Sequence, residues 1–463
     1  MNGQKKMVLA IALLSYFLTA LNNSIIITGL TKIAQDLSAS QIAMSWVQNA
    51  YLLAFGGCIL LGGRLGDIFG RRRVLNLALF LLGIAAALAG WSPAASVLIA
   101  ARALEGVAAA VLAPTALALL VDYFEGRERV RAIAWYSSVS GLGSCIGLVL
   151  GGALASFYSW RWGFYLDLPI AFLMIALSRA SLSKACRIPG AFDYKGTVLS
   201  AAGIFSLVYA LNGAAFPWPW ALLGAALLAG FLYVERSAAV PVMPLVLFAS
   251  PIRVTAYAAR MLFTCAMFGY WFFISEYMQI VLGWSPLAAS FAFLPMTAAT
   301  FLAAVAVPRL TLAHGERAVL LFGAAQILLG FFWLTFAGEE STYVTAVLAP
   351  MVLLGAGQGF AMSPLTNLGI FQTPEGTAGA ASGLVNAAHQ IGGSVGLSFM
   401  VAMTAHGGSM MVMFREAMVI GGIFTAAMLA LSFRFPKSLA GVQKKKRAGK
   451  DAARGAVPAV YNA

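Results

Sequence analysis

The sequence predicts an all-α integral membrane protein with fourteen transmembrane helices. Of its 463 residues, 61% are hydrophobic and 10% are charged, whereas roughly 25% of the residues of a soluble protein are charged. The chain also contains many mainly apolar runs of about 20 residues, the length that a helix needs to cross a bilayer. Runs such as 76–90 and 221–234 are apolar on every side, which excludes the alternating pattern of a membrane β-barrel.

The predicted spans divide the chain into four parts. Residues 1–190 form a bundle of six helices, residues 191–250 an inserted two-helix hairpin, and residues 251–436 a second six-helix bundle. A basic tail, 437–463, follows and is expected to be disordered. The predicted spans are 7–30, 44–62, 74–91, 95–121, 132–156, 162–179, 196–214, 218–235, 254–282, 285–307, 317–337, 342–365, 378–404 and 416–433.

The distribution of basic residues orients these spans. Most of the 30 lysine and arginine residues fall on one side when both termini are placed in the cytoplasm, and only Lys32, Arg161 and Arg415 then lie in outer loops. Cytoplasmic loops carry such an excess of basic residues. The basic residues that give the chain its net charge of +14 are therefore expected to lie along the lipid headgroups, and no nucleic-acid partner is expected.

The loop at 64–75 resembles the loop at 309–320, since arginine, leucine, glycine and a Val-Leu pair recur at a constant offset. This match aligns spans 1–6 with spans 9–14 and leaves the hairpin as an insertion. Parallel repeats of this kind occur in transporters that rock two halves around a central site. The sequence therefore predicts two pseudo-repeat bundles.

Scattered cysteine and histidine residues argue against a metal site, a disulfide framework or an enzyme. The four cysteines and three histidines are far apart in the sequence, and a catalytic centre would need such residues or acids clustered near one membrane face. No phosphate-binding Gly-x-x-x-x-Gly-Lys-Ser/Thr stretch occurs, so ATP is not the expected energy source. No cofactor is predicted, and a channel remains a rival class.

Four motifs resemble the major facilitator superfamily, and specifically its fourteen-span drug:proton antiporter branch. They are the loop around Gly63, Asp67, Gly70, Arg71 and Arg72; Arg102 and Glu105 in span 4; Gly143, Gly147, Gly151 and Gly152 in span 5; and the segment Ser159-Trp-Arg-Trp162 with Phe164 and Pro169. The resemblance covers residues 15 to about 405. It implies a monomeric transporter that uses the proton gradient and needs no cofactor.

Three positions depart from the family pattern. Asn22 stands where the family usually has an acid that takes part in proton or cation handling. Leu148 replaces the proline of the antiporter motif, and Glu105 replaces the glutamine of the span 4 motif. Proton handling is therefore expected to have moved to other residues.

Glu105 and Arg102 lie one turn apart in span 4, and we predict that they take part in proton coupling. A static ion pair that locks span 4 to its neighbours is the alternative, because acids deep in a span are costly and need a partner. His389 is a third proton-coupling candidate or a packing residue. Arg260 is expected to extend to the cytoplasmic surface.

Four polar residues are predicted to line the substrate cavity: Asn22, Glu276, Asn386 and Gln390. Glu276 attracts a cationic substrate or reaches interfacial water; the sequence leaves both possibilities open. Asp67 is expected to pair with Arg71 or Arg72 in a cytoplasmic latch that holds one conformation. The alternative is a loop that only sets topology.

The predicted function is export of hydrophobic or amphipathic small molecules, such as drugs, by proton antiport through alternating access. A dedicated exporter of one endogenous metabolite, or a facilitator without proton coupling, is possible in the same architecture. The predicted location is a bacterial inner membrane, with a small-molecule substrate and the lipid bilayer as the only partners.

Overall fold

A computed structural model describes residues 3–182, 193–211, 214, 216–238, 241–338, 341–374, 377–406 and 408–437. Within these ranges the side chains of Asp67, Val130, Ala134, Ser137 and Ser140 are outside the description. The predicted boundary between the first bundle and the hairpin, and nearly all of the basic tail, also lie outside the described residues.

The described residues form α-helices joined by short connections. These helices are α1 (Gly3–Asp36), α2 (Gln41–Phe69), α3 (Arg71–Trp91), α4 (Ala95–Tyr123), α5 (Gly126–Phe157), α6 (Arg161–Tyr165), α7 (Asp167–Ser181), α8 (Tyr194–Leu211), α9 (Pro217–Ser237), α10 (Pro251–Glu276), α11 (Pro286–Ala292), α12 (Leu294–His314), α13 (Glu316–Leu334), α14 (Ala349–Gly369), α15 (Ala378–Thr404) and α16 (Met410–Ser432).

Twelve helical segments of the described chain are long and apolar enough to cross a membrane. They are α1 to α4, the α6–α7 pair, α8, α9, α10, the α11–α12 pair, α13, α14 and α16. The two other predicted spans, 132–156 and 378–404, fall on α5 and α15, which are not among these twelve; the part of α5 from Gly141 to Phe157 is a shorter apolar helix. The structure therefore has about twelve candidate spans, and the number of fourteen stays a prediction.

The predicted spans 162–179 and 285–307 are each divided into two helices. The breaks occur at Leu166 and Phe293. Pro169 and Pro295 lie in the first turns of the helices that follow, α7 and α12. Proline has no N–H, so it fits the first turn of a helix, where that group has no partner inside the helix.

The helices pack in the same order in the two halves of the chain. α1 packs against α5, α2 against α4, and α3 against α4 and α7. In the second half α10 packs against α15, α12 against α14, and α13 against α14 and α16. α8 and α9 pack mainly against each other, and α8 also contacts α2 and α15. The hairpin therefore lies at the side of the junction between the halves.

Candidate functional site

A large cavity of about 1860 Å³ lies between the two halves. Side chains of α1, α2, α4 and α5 line one wall, and side chains of α10, α12, α14 and α15 line the other. At one end the lining includes Arg64, Arg71 and Thr377, which lie at helix ends or in connections. We call this the open end; the start of α1 lies there too, where Lys5 contacts Glu128 at 2.6 Å.

Hydrogen bonds between the halves join the opposite end, which we call the closed end. The Gln41 amide donates to a carboxylate oxygen of Glu276 at 2.8 Å. The Asn49 amide donates to Ser398 at 2.8 Å and accepts from Ser394 at 3.1 Å, so α2 and α15 are tied together. Glu276, a predicted cavity residue, is thus buried at the closed end and outside the cavity lining.

Arg102 is the centre of a buried polar cluster in the first half. Its Nη1 donates to Glu105 at 2.6 Å and also to the Asn22 side-chain oxygen, and its Nε donates to the Val47 carbonyl at 3.3 Å. The Asn22 amide in turn donates to an oxygen of Asp167 at 2.6 Å. Side chains from α1, α4 and α7 therefore meet in one hydrogen-bonded chain.

This cluster contains one more acid than it has bases. Arg102 supplies one positive charge, whereas Glu105 and Asp167 supply two carboxyl groups, and all three residues are 0% exposed. An uncompensated charge in a protein interior is very costly, so a single proton is needed to bring the cluster to neutrality. One oxygen of each carboxyl has no hydrogen-bond partner among the described residues, which leaves a position for that proton on either acid.

Tyr51 separates the cluster from the cavity. Its side chain lines the cavity, and the Arg102 guanidinium lies 4.4 Å from its ring centroid. Asn22, Arg102 and the two acids do not contribute to the cavity lining. The Tyr51 side chain therefore contacts both the protonatable cluster and the space that a substrate would occupy.

The second half places a different arginine directly in the cavity wall. Arg260 donates from Nε to His389 Nδ1 at 3.2 Å and from Nη1 to the Met362 carbonyl at 3.0 Å. The sequence-based prediction that Arg260 extends to the surface is wrong, since it is 4% exposed and held by α14 and α15. His389, Asn386 and Gln390 also line the cavity, on α15.

The predicted latch loop contacts two other helices at the open end. Arg71 forms an ion pair with Asp122 at the end of α4. Arg72 donates to the Leu182 carbonyl at 3.0 Å, just beyond α7. Sequence analysis did not single out Asp122. Asp67 was predicted to pair with Arg71 or Arg72, but its side chain lies outside the described residues.

Glycines of this loop and of α5 allow close backbone contacts. Gly70 has φ of 89° between α2 and α3, a conformation that favours glycine, and Gly63 lines the cavity. A Cβ atom at Gly143 or Gly147 would lie 2.8 Å from a carbonyl of α1, and Gly151 meets α1 one turn further on. Gly152 instead faces α11, in the other half. The antiporter-type motif thus packs α5 against both halves.

Asp167 and Tyr51 are the site residues that the sequence analysis missed. Asp167 follows Leu166 and lies two residues before Pro169, inside a predicted span, so an acid within an apolar segment was the available signal. Nothing in the sequence distinguishes Tyr51 from the other tyrosines. The described residues contain no group of three or more histidine, cysteine or acidic side chains that could hold a metal ion.

The comparison with protein families gives a match over most of the chain. Residues 12–397, and again residues 256–460, match the profile of the Major Facilitator Superfamily. Similar proteins include a puromycin resistance protein of Streptomyces alboniger, 34% identical over 85% of this chain and 80% of its own length. A cephamycin export protein of Amycolatopsis lactamdurans is 33% identical over 87% of this chain and 85% of its own length.

Two further relatives extend this pattern. A multidrug efflux pump of Mycolicibacterium smegmatis is 31% identical over 84% of this chain and 78% of its own length. Among solved structures, a D-xylose–proton symporter has a TM-score of 0.67 at 15% identity, over 94% of this chain and 99% of that one. This structural likeness shows that the fold is shared.

Proposed function

The chain belongs to the major facilitator superfamily, and from this premise we propose that it exports hydrophobic or amphipathic small molecules in exchange for protons. The names of the relatives support export, because they describe puromycin resistance, cephamycin export and multidrug efflux. The protein would work as a monomer in a bacterial inner membrane, with the proton gradient as its energy source and no cofactor.

We place both termini in the cytoplasm, as the distribution of basic residues predicts. The open end of the cavity then faces the cytoplasm and the closed end faces outward, so the structure is in an inward-facing state. We also propose that fourteen helices cross the membrane as two six-helix repeats with an inserted hairpin. The shared packing order of the halves supports this arrangement.

Alternating access requires contacts that break at one end while others form at the other end. In the inward-facing state the closed end is held by the bonds from Gln41 to Glu276 and from Asn49 to α15. The latch, with Arg71 on Asp122, holds the helices of the first half together at the open end. Gly143, Gly147 and Gly151 let α5 stay in close contact with α1 while the halves rotate.

The observation that carries the proposal is the surplus acid beside the cavity. Arg102 contacts Glu105 directly but reaches Asp167 only through Asn22, so we assign the mobile proton to Asp167 and the counter-ion role to Glu105. When Tyr51 moves, this proton can pass to the cavity and the cytoplasm. The cluster takes up another proton in the outward-facing state.

The predicted role of Asn22 changes within this proposal. It was predicted to line the substrate cavity, and here it transmits hydrogen bonding between Arg102 and Asp167. Likewise, the bond from Arg260 to His389 associates His389 with the substrate cavity rather than with the proton site.

Inside-out vesicles with an acidic lumen test the function. Puromycin and a cephamycin are suitable first probes, chosen for the relatives' names. We expect at least one of them to accumulate in the lumen above vesicles that lack the protein, and to leave when nigericin collapses the pH gradient. Accumulation that does not respond to the gradient would contradict proton antiport and favour a facilitator.

A further inference from the structure

We propose that the cavity selects amphipathic organic anions and that Arg260 binds their carboxylate. This inference rests on the proposed function, since it names the substrate class for the same cavity. It begins with the charges of the cavity wall. Among the described residues that line the cavity there is no aspartate or glutamate, whereas Arg64, Arg71 and Arg260 all contribute to the lining.

Among the described side chains, the acids nearest to the cavity are engaged elsewhere. Glu105 and Asp167 lie behind Tyr51, and Glu276 accepts from Gln41 at the closed end. Asp122, at the mouth, pairs with Arg71. A cationic substrate inside the cavity would therefore meet positive charge without a compensating carboxylate from the described lining, which in a low-dielectric site is strongly unfavourable.

Arg260 has donor capacity left for a ligand. Its Nε and Nη1 are used by His389, by the Met362 carbonyl and by Thr366, but Nη2 donates to no described residue. Arg260 forms no ion pair within the described chain, although its guanidinium always carries a charge. A buried, unpaired guanidinium that faces a cavity is suited to bind a carboxylate through charge-assisted hydrogen bonds from its free Nη2.

The helix that carries Arg260 continues the site. Phe263, Thr264, Met267, Phe268 and Trp271 follow at the spacing of one helix face, and all of them line the cavity. Trp271 lies roughly 16 Å further along α10 than Arg260, at 1.5 Å per residue. The Trp271 indole N–H is buried and has no partner among the described residues.

This face therefore matches an elongated ligand. A carboxylate would bind Arg260 nearer the open end, and an apolar body would extend over Phe263, Met267 and Phe268. The Trp271 N–H would donate to an oxygen towards the closed end. A rigid hydrophobic body with a single acidic group fits this order better than a cation does.

Equilibrium binding of three matched probes to the purified protein tests the inference. The probes are tritiated 1-naphthylacetate, its methyl ester, and the corresponding 1-naphthylmethyl-trimethylammonium cation, with the protein in phosphatidylcholine nanodiscs. We expect the carboxylate to bind roughly ten- to a hundredfold more tightly than the ester, as for a hydrogen bond to a charged group. Equal affinities, or tighter binding of the cation, would overturn the inference.

Arg260→Gln should reduce carboxylate binding to the level of the ester and leave ester binding unchanged, which also shows that the cavity is intact. Arg260→Lys keeps the charge and should retain part of the preference. The matched control is Arg253→Gln, because Arg253 is equally buried on α10 but donates to backbone carbonyls such as those of Leu247 and Phe371. A preference that survives Arg260→Gln would refute the assignment.

Two further comparisons separate the possible outcomes. If phosphatidylglycerol in the nanodiscs abolishes carboxylate binding, the anion held by Arg260 is a bilayer lipid, and the assignment to a soluble substrate is wrong. Binding needs no pH gradient, so a failure of proton coupling would not affect this result. Conversely, vesicles that accumulate the ester or the cation without an anion preference would leave the exporter function intact and remove only this inference.

Discussion

Each half of the molecule buries one arginine at the edge of the central cavity, but the two arginines have opposite surroundings. Arg102 contacts Glu105, reaches Asp167 through Asn22 and lies behind Tyr51, whereas Arg260 lines the cavity and has no acid beside it among the described residues. Both side chains are almost completely buried, so burial alone does not separate their roles. What distinguishes the two arginines is the balance of charge among the side chains around each of them.

This contrast is the basis of the proposed roles, in which the Arg102 cluster carries a proton and Arg260 binds an anion. Where acids outnumber the base, the site needs a proton, and where the base has no acid, the site needs an anion. Separation by one aromatic ring keeps the two requirements apart while leaving them close enough to affect each other. The following predictions test this comparison, from the largest expected effect to the smallest.

Removal of the surplus acid should have the largest effect. With Asp167→Asn, Arg102 and Glu105 balance each other and no mobile proton is needed, so accumulation driven by a pH gradient should fall to background. Downhill substrate exchange should persist, because the cavity is unchanged. Vesicle uptake assays with and without the gradient measure both quantities. Glu105→Gln also removes the surplus and is expected to have the same effect.

The control is Glu128→Gln at the open end. Glu128 pairs with Lys5 at 2.6 Å, and hydrogen bonding to this ammonium lowers the pKa of Glu128, so the acid stays ionised near neutral pH and has no proton to exchange. Uptake should match the wild type. If Asp167→Asn still concentrates substrate when the gradient is applied, the cluster is structural only.

Stability should distinguish the two arginines as well. Arg102→Met leaves two buried carboxyls without their cation, and removal of one partner from a buried ion pair costs about 3–5 kcal/mol. Arg260→Met leaves no acid unpaired and should be much less destabilising. Heat-induced loss of the monodisperse fraction in detergent measures the difference. Equal losses would show that the surroundings of the arginines do not differ energetically.

A double variant adds an internal check. Arg102→Met combined with Glu105→Met removes both ends of the ion pair, so part of the stability lost in Arg102→Met should return. If the double variant is less stable than the single one, Arg102 acts mainly through its other contacts with Val47 and Asn22.

The effect of opening the barrier between the two sites should be smaller. Tyr51→Ala removes the ring that separates the cluster from the cavity and should raise the substrate-independent proton leak several-fold, whereas Tyr51→Phe keeps the ring and should leak little. A pH-sensitive dye in the vesicle lumen reports the leak. Phe55→Ala is the control, because Phe55 lines the same wall and packs against Tyr51, whereas the guanidinium of Arg102 lies over the ring of Tyr51. Similar leaks from both alanine variants would exclude a specific barrier at Tyr51.

The sequence predicted the membrane class, the family and the contact between Arg102 and Glu105, because these depend on composition and on short spacings. Arg102 and Glu105 are three residues apart, so helix periodicity alone places them together. The structure was needed for Asp167, since 145 residues separate it from Asn22 and only the packing of α7 against α1 brings them together.

The position of the charged Arg260 side chain in the cavity wall could not be predicted from the sequence for a related reason. Whether Arg260 extends to the surface or faces a cavity depends on carbonyl and imidazole acceptors from α14 and α15, more than 100 positions away. The break between α6 and α7, just before Asp167, was likewise not predicted, because the surrounding run is apolar, although Pro169 stands in the sequence close to it.

The lack of acids among the described residues of the cavity wall also has a bioenergetic consequence. If the cargo is a monovalent anion, each cycle moves one negative charge outward and one proton inward, so two charges cross the membrane in the same electrical sense. An inside-negative potential would then contribute about 4.6 kcal/mol per 100 mV to export, from about 2.3 kcal/mol for each charge. A valinomycin-imposed potential should therefore drive accumulation of 1-naphthylacetate in inside-out vesicles without any pH gradient, and an exchange that ignores the potential would mean that the cargo is not an anion.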